Sequence, residues 1–372
     1  MKIAVNLRLL IPGKLEGIGR FSLEIINRLI EEMPDAEFHL LFDRKPPKEF
    51  PFPEGVKKVH IPPQARHPVL YNIWFNIMVP RYLRRKKIDL FLSPDGYLCQ
   101  GLRIPQIPVI HDLNFEHRPE DLPPTALKYY KKNFPVFART AKRIATVSEF
   151  SKQDLQKTYG ISAKRIDLVP NAAKEIFTPS KNKAPHREAF ANGNPYVLSV
   201  GSIHPRKNLE VLIKAFDLLN SAPGFSHDLV LVGEEMWKDE LGELKNLSQK
   251  VRGKIHFTGR IPDAELVKAY QGADLYVFPS FFEGFGIPVL EAMGSGVPVL
   301  ASNRTSLPEV GGDAARYFNP EQPEQLSEEI HLVLNSPEIQ KEMIEKGLKQ
   351  ARKYSWDISA KAMKESIIKA LS

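Results

Sequence analysis

Apolar and polar positions alternate in blocks along the whole chain. Short runs made almost entirely of apolar residues are separated by longer stretches in which apolar residues recur at helical spacing. Uninterrupted apolar runs are typical of strands that are covered on both faces, and the helical spacing predicts amphipathic helices. Because the two kinds of segment alternate, the pattern favours parallel sheets covered by helices.

Two such series follow each other along the chain. In the first, strands are predicted at "KIAVNLRLL", "EFHLLFD", "VKKVHIP", "IDLFLSP", "IPVIHD", "RIATVSE" and "IDLVPN", and helices over 19–33, 69–85, 126–141 and 151–158. The second series has strands at "PYVLSVGS", "DLVLVG", "KIHFTGR", "DLYVFPS", "VPVLAS" and "ARYFN", with helices between them and three more at the end of the chain. The sequence therefore predicts two Rossmann-like, doubly wound α/β domains.

A segment rich in Pro, Asn and Lys, "VPNAAKEIFTPSKNKAPHREAFANGNP", separates the two series. We predict an N-terminal domain over 1–175 and a C-terminal domain over 176–354. A last helix within 355–372 is expected to cross back to the N-terminal domain. Ligands of doubly wound sheets bind beyond the carboxyl ends of the strands, so two such domains facing a central cleft would hold a ligand between them.

Composition narrows the class of protein. Of the 372 residues, 42% are hydrophobic and 26% are charged, as in soluble globular proteins. The single cysteine, Cys99, excludes an internal disulfide framework and a cysteine-based metal site. No stretch approaches the roughly 20 apolar residues of a membrane span, and the N-terminus lacks a cleavage site. We therefore expect a cytoplasmic protein.

The net charge of +8 results from 52 Lys and Arg against 44 Asp and Glu. Such an excess favours anionic partners, among them nucleotide phosphates, nucleic acid and anionic lipid, although it also serves solubility alone. The sequence has no zinc-finger spacing, Arg-rich tail or aromatic RNA-binding signature. Nucleic acid is therefore not expected as a partner.

The segment "VFPSFFEGFGIPVLEAM" predicts a strand, a glycine-rich turn and a helix. Gly284 and Gly286 allow backbone conformations that are closed to other residues, and Pro288 suits the first turn of a helix. The N–H groups of that turn, with the partial positive charge of the helix start, attract anions such as phosphate. We therefore expect an anion-binding turn here.

Two glutamates flank this turn. Glu283 precedes it, and Glu291 lies about one turn inside the helix. Carboxylates beside a phosphate-binding turn can accept hydrogen bonds from sugar hydroxyls, one from a ribose and the other from a second sugar. For Glu291 the alternative is a residue that is there because the helix dipole favours a negative charge.

Arg206 and Lys207, in "GSIHPRKNLEVLIKAF", follow the first strand of the second series. Asn208 is a suitable N-cap for the helix that comes next. An arginine fork and a lysine ammonium beside helix N–H groups suit the binding of a pyrophosphate. The alternative is two solvated cations in a loop.

Two features of the first series also point to the predicted cleft. His111 in "HDL" follows an apolar strand and would face the cleft, unless it is a structural histidine with satisfied hydrogen bonds. Gly17 and Gly19, in "LEGIGRF", are predicted to precede a helix. They form half of a dinucleotide-binding fingerprint, but Ser22 stands where the third glycine belongs.

Taken jointly, these motifs resemble the retaining glycosyltransferases of the GT-B fold, family 4 ("glycosyl transferases group 1"). In the second half the resemblance lies in "GSIHPRKN", "EGFGIPVLEAMGSGVPVLAS" and "SLPEVGGDAARYFNP", and in the first half in "GIGRF", "VIHDLNFEHRPE", "TVSEFSKQDL" and "VPNA". It implies that Glu291 holds the ribose hydroxyls of a nucleotide-sugar donor and that Glu283 contacts the transferred sugar. It also implies that Arg206 and Lys207 neutralise the donor pyrophosphate.

The resemblance implies roles for the remaining candidates as well. The Gly17–Gly19 loop would close over the pyrophosphate, and His111 would lie near the anomeric centre and the 6-hydroxyl of the sugar. The backbone N–H groups that would face the sugar and phosphate belong to Phe285, Gly286 and Ile287.

The implied activity is α-retaining hexosyl transfer from a GDP- or UDP-sugar to a glycan or lipid-linked acceptor. The segment "PEVGGDAA" favours GDP-mannose, while UDP-glucose, UDP-galactose and UDP-N-acetylglucosamine stay open. A sugar-nucleotide epimerase of the same fold and a non-catalytic two-lobed sugar- or nucleotide-binding protein are the alternatives. An NAD oxidoreductase is disfavoured by the broken glycine fingerprint.

We expect no cofactor and no metal ion. Metal-dependent transferases hold their cation with an Asp-x-Asp pair, which does not occur in this sequence. The nearest patterns are Asp35-Ala-Glu37, before what is predicted to be an edge-like strand, and Asp263-Ala-Glu265, at a predicted helix start.

The segment 68–87 combines aromatic residues, among them Tyr71, Trp74 and Phe75, with a basic end that includes Arg84 and Arg85. An apolar-aromatic helix with a basic end suits peripheral contact with a membrane surface or a lipid-linked acceptor. The alternative is a helix that packs on the first sheet and keeps its basic end in solvent.

Overall fold

The computed structural model describes residues 1–221, 224–236, 239–251 and 254–372. The chain forms two compact units, one of Met1–Asn171 with Ser355–Ser372 and the other of Ala172–Tyr354. The division after Asn171 therefore comes slightly earlier than the expected boundary at residue 175.

The first unit contains a five-stranded parallel sheet and a separate pair of parallel strands. The strands are β1 (Lys2–Asn6), β2 (Glu37–Phe42), β3 (Lys57–His60), β4 (Leu90–Ser93), β5 (Gln106–Pro108), β6 (Ile144–Thr146) and β7 (Ile166–Leu168). The sheet order is β3-β2-β1-β4-β5, and β6 pairs with β7. The central strands β1 and β4 are almost wholly buried, which is why they have uninterrupted apolar sequences.

Six helices connect these strands: α1 (Gly17–Glu32), α2 (Pro68–Ile73), α3 (Val79–Lys86), α4 (Asn114–His117), α5 (Pro124–Thr140) and α6 (Glu149–Tyr159). The helix predicted over 69–85 is interrupted by a π turn at Trp74–Met78, between α2 and α3. Pro80 lies in the first turn of α3 and has no N–H to donate, which disturbs the regular hydrogen-bond pattern at this point.

The second unit contains a six-stranded parallel sheet. Its strands are β8 (Tyr196–Val200), β9 (Asp228–Val232), β10 (Ile255–Gly259), β11 (Leu275–Phe278), β12 (Val299–Ser302) and β13 (Ala315–Phe318). Its helices are α7 (Ala184–Ala191), α8 (Leu209–Asn220), α9 (Glu240–Ser248), α10 (Asp263–Gly272), α11 (Ile287–Gly294), α12 (Leu307–Gly311), α13 (Pro323–Leu334) and α14 (Pro337–Ala351). The order of the sheet is β10-β9-β8-β11-β12-β13.

The strand order of the second sheet determines where its ligand site lies. From β8 the chain continues outward to β9 and β10, and it then returns to form β11 on the other side of β8. This reversal is the switch point at which doubly wound sheets open a crevice at their carboxyl edge. The loops 201–208 and 279–286 leave β8 and β11 at this point.

The last helix, α15 (Trp356–Leu371), groups with the first unit. Trp356 is buried and its ring packs edge-on against Phe21 of α1, with centroids 6.1 Å apart. Arg28 Nε donates to Asp357 Oδ1 at 2.6 Å. Among the described residues, no helix is both long and apolar enough to cross a membrane.

Candidate functional site

The loops that follow β8 and β11 are joined by hydrogen bonds between their backbones and side chains. The N–H of Phe281 donates to the carbonyl of Arg206 at 2.9 Å. In return, Arg206 Nη1 donates to the carbonyl of Phe282 at 2.6 Å. Residues Pro205–Lys207 form a 3₁₀ turn, and His204 Nδ1 accepts the N–H of Arg206 at its start. These hydrogen bonds therefore hold the two loops together at the carboxyl edge of the second sheet.

Glu283 connects the two predicted cations. Its Oε2 lies 3.0 Å from Arg206 Nη1, and its Oε1 lies 2.5 Å from Lys207 Nζ. The resemblance implies a contact between Glu283 and a sugar, and no pattern in the sequence indicates this ion cluster. The Lys207 ammonium also lies 4.9 Å from the centre of the Phe278 ring, which attracts it through the negative face of the ring.

Burial of Glu283 by itself would raise its pKa, because an apolar environment disfavours the charged form. The charges of Arg206 and Lys207 outweigh this effect and lower the pKa of Glu283 to about 2. Glu283 is therefore ionised at neutral pH, and as a carboxylate it only accepts hydrogen bonds.

Asn208 occupies the N-cap position of α8, as predicted, but its side chain does not cap the helix. Its backbone adopts a left-handed conformation with φ +53°. Its amide group instead donates to the carbonyls of Pro279 and Pro320, at 3.2 and 2.7 Å. These partners are distant in sequence, so the tertiary fold decided the use of this side chain.

The turn before α11 requires the glycine at position 286. Gly286 has φ +107°, and a Cβ there would lie 2.7 Å from Leu307 Cδ2. Ile287 then begins α11, with Pro288 in its first turn as predicted. The first bond at this turn is donated by the N–H of Val289 to the carbonyl of Gly286, at 3.0 Å. The backbone N–H groups of Phe285, Gly286 and Ile287 thus stand at the helix start, where N–H groups lack intrahelical acceptors.

Two polar residues that sequence analysis did not name support the same loop. Thr305 Oγ1 accepts the N–H of Glu283 at 3.1 Å. Ser306 Oγ lies 2.9 Å from the carbonyls of both Glu283 and Phe285. Both residues follow β12, and the rule that polar residues after strands form sites would have identified them if it had been applied to this strand.

Glu291 lies on α11, one turn from its start, and is 6% exposed. The hydroxyl of Tyr270, on α10, donates to Glu291 Oε2 at 3.1 Å. The dipole effect falls off beyond the first turn, so it does not account for a buried carboxyl group with a specific donor. No local pattern in the sequence indicated Tyr270.

His111 belongs to the first unit and follows β5. Its Nε2 donates to the carbonyl of Pro94 at 2.9 Å, and its ring packs edge-on against Phe21, with centroids 5.1 Å apart. Burial lowers the pKa of His111, and the bond to Pro94 places the proton on Nε2. A neutral imidazole in a fixed orientation results, with Nδ1 as its acceptor.

The prediction that Gly17 and Gly19 form a loop before a helix is wrong. α1 begins at Gly17, so both glycines lie in its first turn. Glu16, at the N-cap position, makes no side-chain cap, so no capping residue marks the helix start in the sequence. A Cβ at position 19 would lie 3.0 Å from the carbonyl oxygen of Leu9, so close packing of the preceding chain requires this glycine.

The two acidic patterns considered as metal ligands make ion pairs. Glu37 pairs with Lys57 and is hydrogen-bonded to His39 Nε2 at 2.7 Å, and it opens β2, which is an interior strand and not an edge strand as expected. Asp263 pairs with Lys174 at the start of α10. Within the described part of the chain, no group of three or more His, Cys, Asp or Glu is placed to hold a metal ion.

In the segment 68–87, the aromatic residues pack inward. Trp74 and Phe75 are buried, and Trp74 Nε1 donates to the carbonyl of Ile61 at 2.7 Å. The interpretation in which these two rings meet a membrane is therefore wrong. Val69 and Ile77 remain exposed, at 58% and 59%, as does the basic end of the segment.

Comparison with known proteins agrees with this architecture. The model of Glycosyltransferase Family 4 matches residues 15–174, and the model of Glycosyl transferases group 1 matches residues 180–350. O-antigen chain mannosyltransferase B of Escherichia coli is 31% identical over 364 residues, covering 92% of this chain and 93% of that protein.

Solved structures share the fold over nearly the whole chain. Anabaena Alr3699/HepE, solved in complex with UDP and glucose, has a TM-score of 0.77 at 17% identity and covers 99% of both chains. WaaG, a glycosyltransferase involved in lipopolysaccharide biosynthesis, has a TM-score of 0.75 at 19% identity and covers 98% of this chain and 99% of its own.

Two parallel-sheet α/β domains, with a basic turn and a glycine-proline helix start at the carboxyl edge of the second sheet, define a protein of the GT-B class. The chain belongs to glycosyltransferase family 4, the glycosyl transferases group 1, and is a glycosyltransferase.

Acid is expected to remove the stabilisation that ionised Glu283 provides. Its pKa is about 2 in the folded chain against an ordinary value of 4.5, so the contribution is complete above pH 4.5 and is lost as the pH falls towards 2. A shift of this size corresponds to roughly 3 kcal/mol. The free energy of unfolding of the parent should therefore exceed that of Glu283→Gln at pH 7, and the difference should shrink towards pH 3. A difference that stays constant over this range would contradict the ion cluster.

Proposed function

We propose that this glycosyltransferase is a retaining hexosyltransferase that forms an α-glycosidic bond. It takes the hexose, preferentially mannose, from a nucleotide diphosphate sugar and passes it to a glycan or lipid-linked acceptor. The observation that carries the proposal is the partly buried cluster of Arg206, Lys207 and Glu283 beside the start of α11. The full-length similarity to an O-antigen chain mannosyltransferase supports mannose as the transferred sugar.

The cluster suits a leaving diphosphate. As the bond to the anomeric carbon breaks, negative charge grows on the phosphate oxygen, and fixed positive groups nearby stabilise it. Arg206 and Lys207 supply two cations, and the N–H groups at the start of α11 add a partial positive charge. Glu283 holds both cations in place before the donor binds, which avoids leaving two partly buried charges unpaired.

The proposed reaction proceeds on one face of the sugar. The bond between the anomeric carbon and the phosphate oxygen breaks, and its electron pair remains on the diphosphate. The acceptor hydroxyl bonds to the same carbon from the same side, and its proton passes to the departing phosphate oxygen. The configuration of the anomeric carbon is thereby retained, and no protein nucleophile takes part.

The carboxyl groups and the histidine then serve in recognition. Glu291 accepts hydrogen bonds from the ribose hydroxyls of the donor, and ionised Glu283 accepts hydrogen bonds from hydroxyls of the transferred sugar. His111 is proposed to contact the sugar near its anomeric centre and 6-hydroxyl. A neutral imidazole with a low pKa suits hydrogen bonding to a hydroxyl better than protonation of a phosphate.

A basic face on the first unit suits an anionic surface. The segments 68–87 and 124–140 contain no Asp or Glu. Gln100 lies between them, because its N–H donates to Asn76 at 3.2 Å and its amide group donates to Asn133 at 3.1 Å. The exposed cations of the two segments, which together we call the basic face, are Arg81, Arg84, Arg85, Lys86 and Lys87 of the first segment, and Lys128, Lys131, Lys132 and Arg139 of α5. We propose that this face contacts anionic lipid headgroups, close to a lipid-linked acceptor.

Glu291→Ala is expected to weaken the binding of GDP or UDP by about 1.5–3 kcal/mol, the range for a hydrogen bond to a charged group. Glu283→Ala should reduce sugar transfer more than it weakens the binding of the bare nucleoside diphosphate, which it affects only through the placement of Arg206 and Lys207. Isothermal titration with the nucleoside diphosphates and turnover with the donor sugars measure the two effects. If both variants bound and turned over like the parent, the assigned roles would be wrong.

Transfer is expected to need no divalent metal ion. Excess EDTA should leave turnover largely intact, because the cations of the cluster meet the charge of the leaving group. Arg206→Ala and Lys207→Ala should each raise the barrier by about 2–4 kcal/mol, as for the loss of an oxyanion donor. Lys214→Ala is the control, since Lys214 pairs with Glu210 on the exposed face of α8. Loss of turnover in EDTA that magnesium or manganese restores would refute this account.

Reversal of charge on the basic face is expected to release the protein from anionic membranes. Arg84→Glu/Arg85→Glu should reduce co-sedimentation with vesicles of phosphatidylglycerol and phosphatidylcholine, and added salt should do the same to the parent. Lys341→Glu/Lys349→Glu makes the same change in net charge on α14 of the second unit, where both residues are exposed, and should bind like the parent. If the parent and both double variants bound the vesicles equally, the basic face would not be a membrane-binding surface.

A further inference from the structure

A file of four aromatic rings runs beneath the site of the second unit. Phe177 packs edge-on against Tyr270, with centroids 5.5 Å apart. Tyr270 lies 5.5 Å from Tyr276, and Tyr276 lies 6.0 Å from Phe278 and stacks on it. Tyr276 and Phe278 are two residues apart on β11 and therefore point to the same face of the sheet.

Two rings of this file contact residues of the site. At one end the Phe278 ring lies beneath the Lys207 ammonium, at 4.9 Å. Within the file, next to Phe177, the Tyr270 hydroxyl donates to Glu291 Oε2, at 3.1 Å. The same packed rings therefore lie behind a cation of the ion cluster and behind the carboxyl group of α11.

The Tyr270 hydroxyl is directed at Glu291. The carbonyl of Pro288, at 3.5 Å, is too far for a good hydrogen bond, and the Tyr276 hydroxyl is the other group that interacts with the Tyr270 hydroxyl. Burial raises the pKa of Tyr270 well above its ordinary value, so the hydroxyl keeps its proton and remains a donor. Rotation of the ring is blocked, because Tyr270 is fully buried between Phe177 and Tyr276.

We propose that Tyr270 is a positioning residue for the donor nucleotide: its hydroxyl fixes the orientation of the Glu291 carboxyl group, which binds the ribose hydroxyls. The inference rests on the proposed function of Glu291. A carboxyl group that is already oriented loses less rotational freedom on binding, so the nucleotide binds more tightly. In this proposal Tyr270 acts on the nucleotide through Glu291 and does not contact the substrate itself.

If Tyr270 acts in this way, its effect on nucleotide affinity should depend on the ribose hydroxyls of the ligand. Removal of the hydroxyl should weaken the binding of a nucleotide with both ribose hydroxyls, and it should matter less for a nucleotide that lacks them. A structural role would instead affect every ligand equally, through the stability of the unit. The two cases differ in the ratio of affinities, which does not depend on how much active protein is present.

The test is Tyr270→Phe in the full chain, measured by isothermal titration with GDP and UDP and with their 2′,3′-dideoxy analogues. Tyr196→Phe is the matched control. Tyr196 is also fully buried, and its hydroxyl donates to the carbonyl of Ala269 on the same helix, at 2.6 Å. The substitution Tyr196→Phe therefore removes one buried hydroxyl from the same region without changing a contact to Glu291.

Tyr270→Phe is expected to bind the ribonucleotide about tenfold more weakly, the order of a hydrogen bond to a charged group, and to bind the dideoxy analogue nearly like the parent. Tyr196→Phe should keep the parent ratio of the two affinities even if its melting temperature falls. In the double variant Tyr270→Phe/Glu291→Gln, the loss should be smaller than the sum of the single losses, because both changes remove the same interaction.

Two results would overturn the inference while leaving the proposed function intact. One is a parent that prefers the ribonucleotide and a Tyr270→Phe variant that keeps the whole preference. The other is an equal loss for both ligands, which would give Tyr270 a structural role. A parent that binds no nucleoside diphosphate, or that binds both forms equally, would instead refute the role of Glu291 and the inference with it.

Discussion

The pairing of Glu283 with Arg206 and Lys207 is the interaction on which the rest of the site depends. Charges removed from water are costly unless they are matched by an opposite charge and by hydrogen bonds. Here both cations come from the loop after β8 and the carboxylate comes from the loop after β11, so the match requires the two loops to keep a fixed separation. The hydrogen bonds from the Phe281 N–H to the Arg206 carbonyl and from Arg206 Nη1 to the Phe282 carbonyl hold that separation.

The helix start beside this cluster follows from the same constraint. The chain must turn within a few residues from Glu283 into α11, and Gly286 makes the turn in a conformation that other residues rarely adopt. Leu307 occupies the space next to it, and Ser306 binds the carbonyls on both sides of Gly284. The N–H groups of the helix start are thus placed beside two cations, which concentrates positive potential where a diphosphate would lie.

Much of this arrangement can be predicted from the sequence, because it depends on residues that are close together in the chain. Apolar runs gave the strands, and the polar residues just after them gave Arg206, Lys207 and Glu283. Predictions failed where a distant partner decided the outcome. The Asn208 amide donates to the carbonyls of Pro279 and Pro320 and does not cap its own helix. Trp74 Nε1 donates to the carbonyl of Ile61 in the core, so the ring does not lie at a membrane surface.

The sequence by itself determined the two doubly wound domains, the strand ends that carry the site, and the glycine and proline that start α11. These follow from periodicity and from backbone restrictions, which act over a few residues. Only the tertiary structure decided that Glu283 bridges both cations and that Tyr270 binds Glu291. These contacts join residues far apart in the chain, so they depend on strand order and packing, which no local pattern specifies.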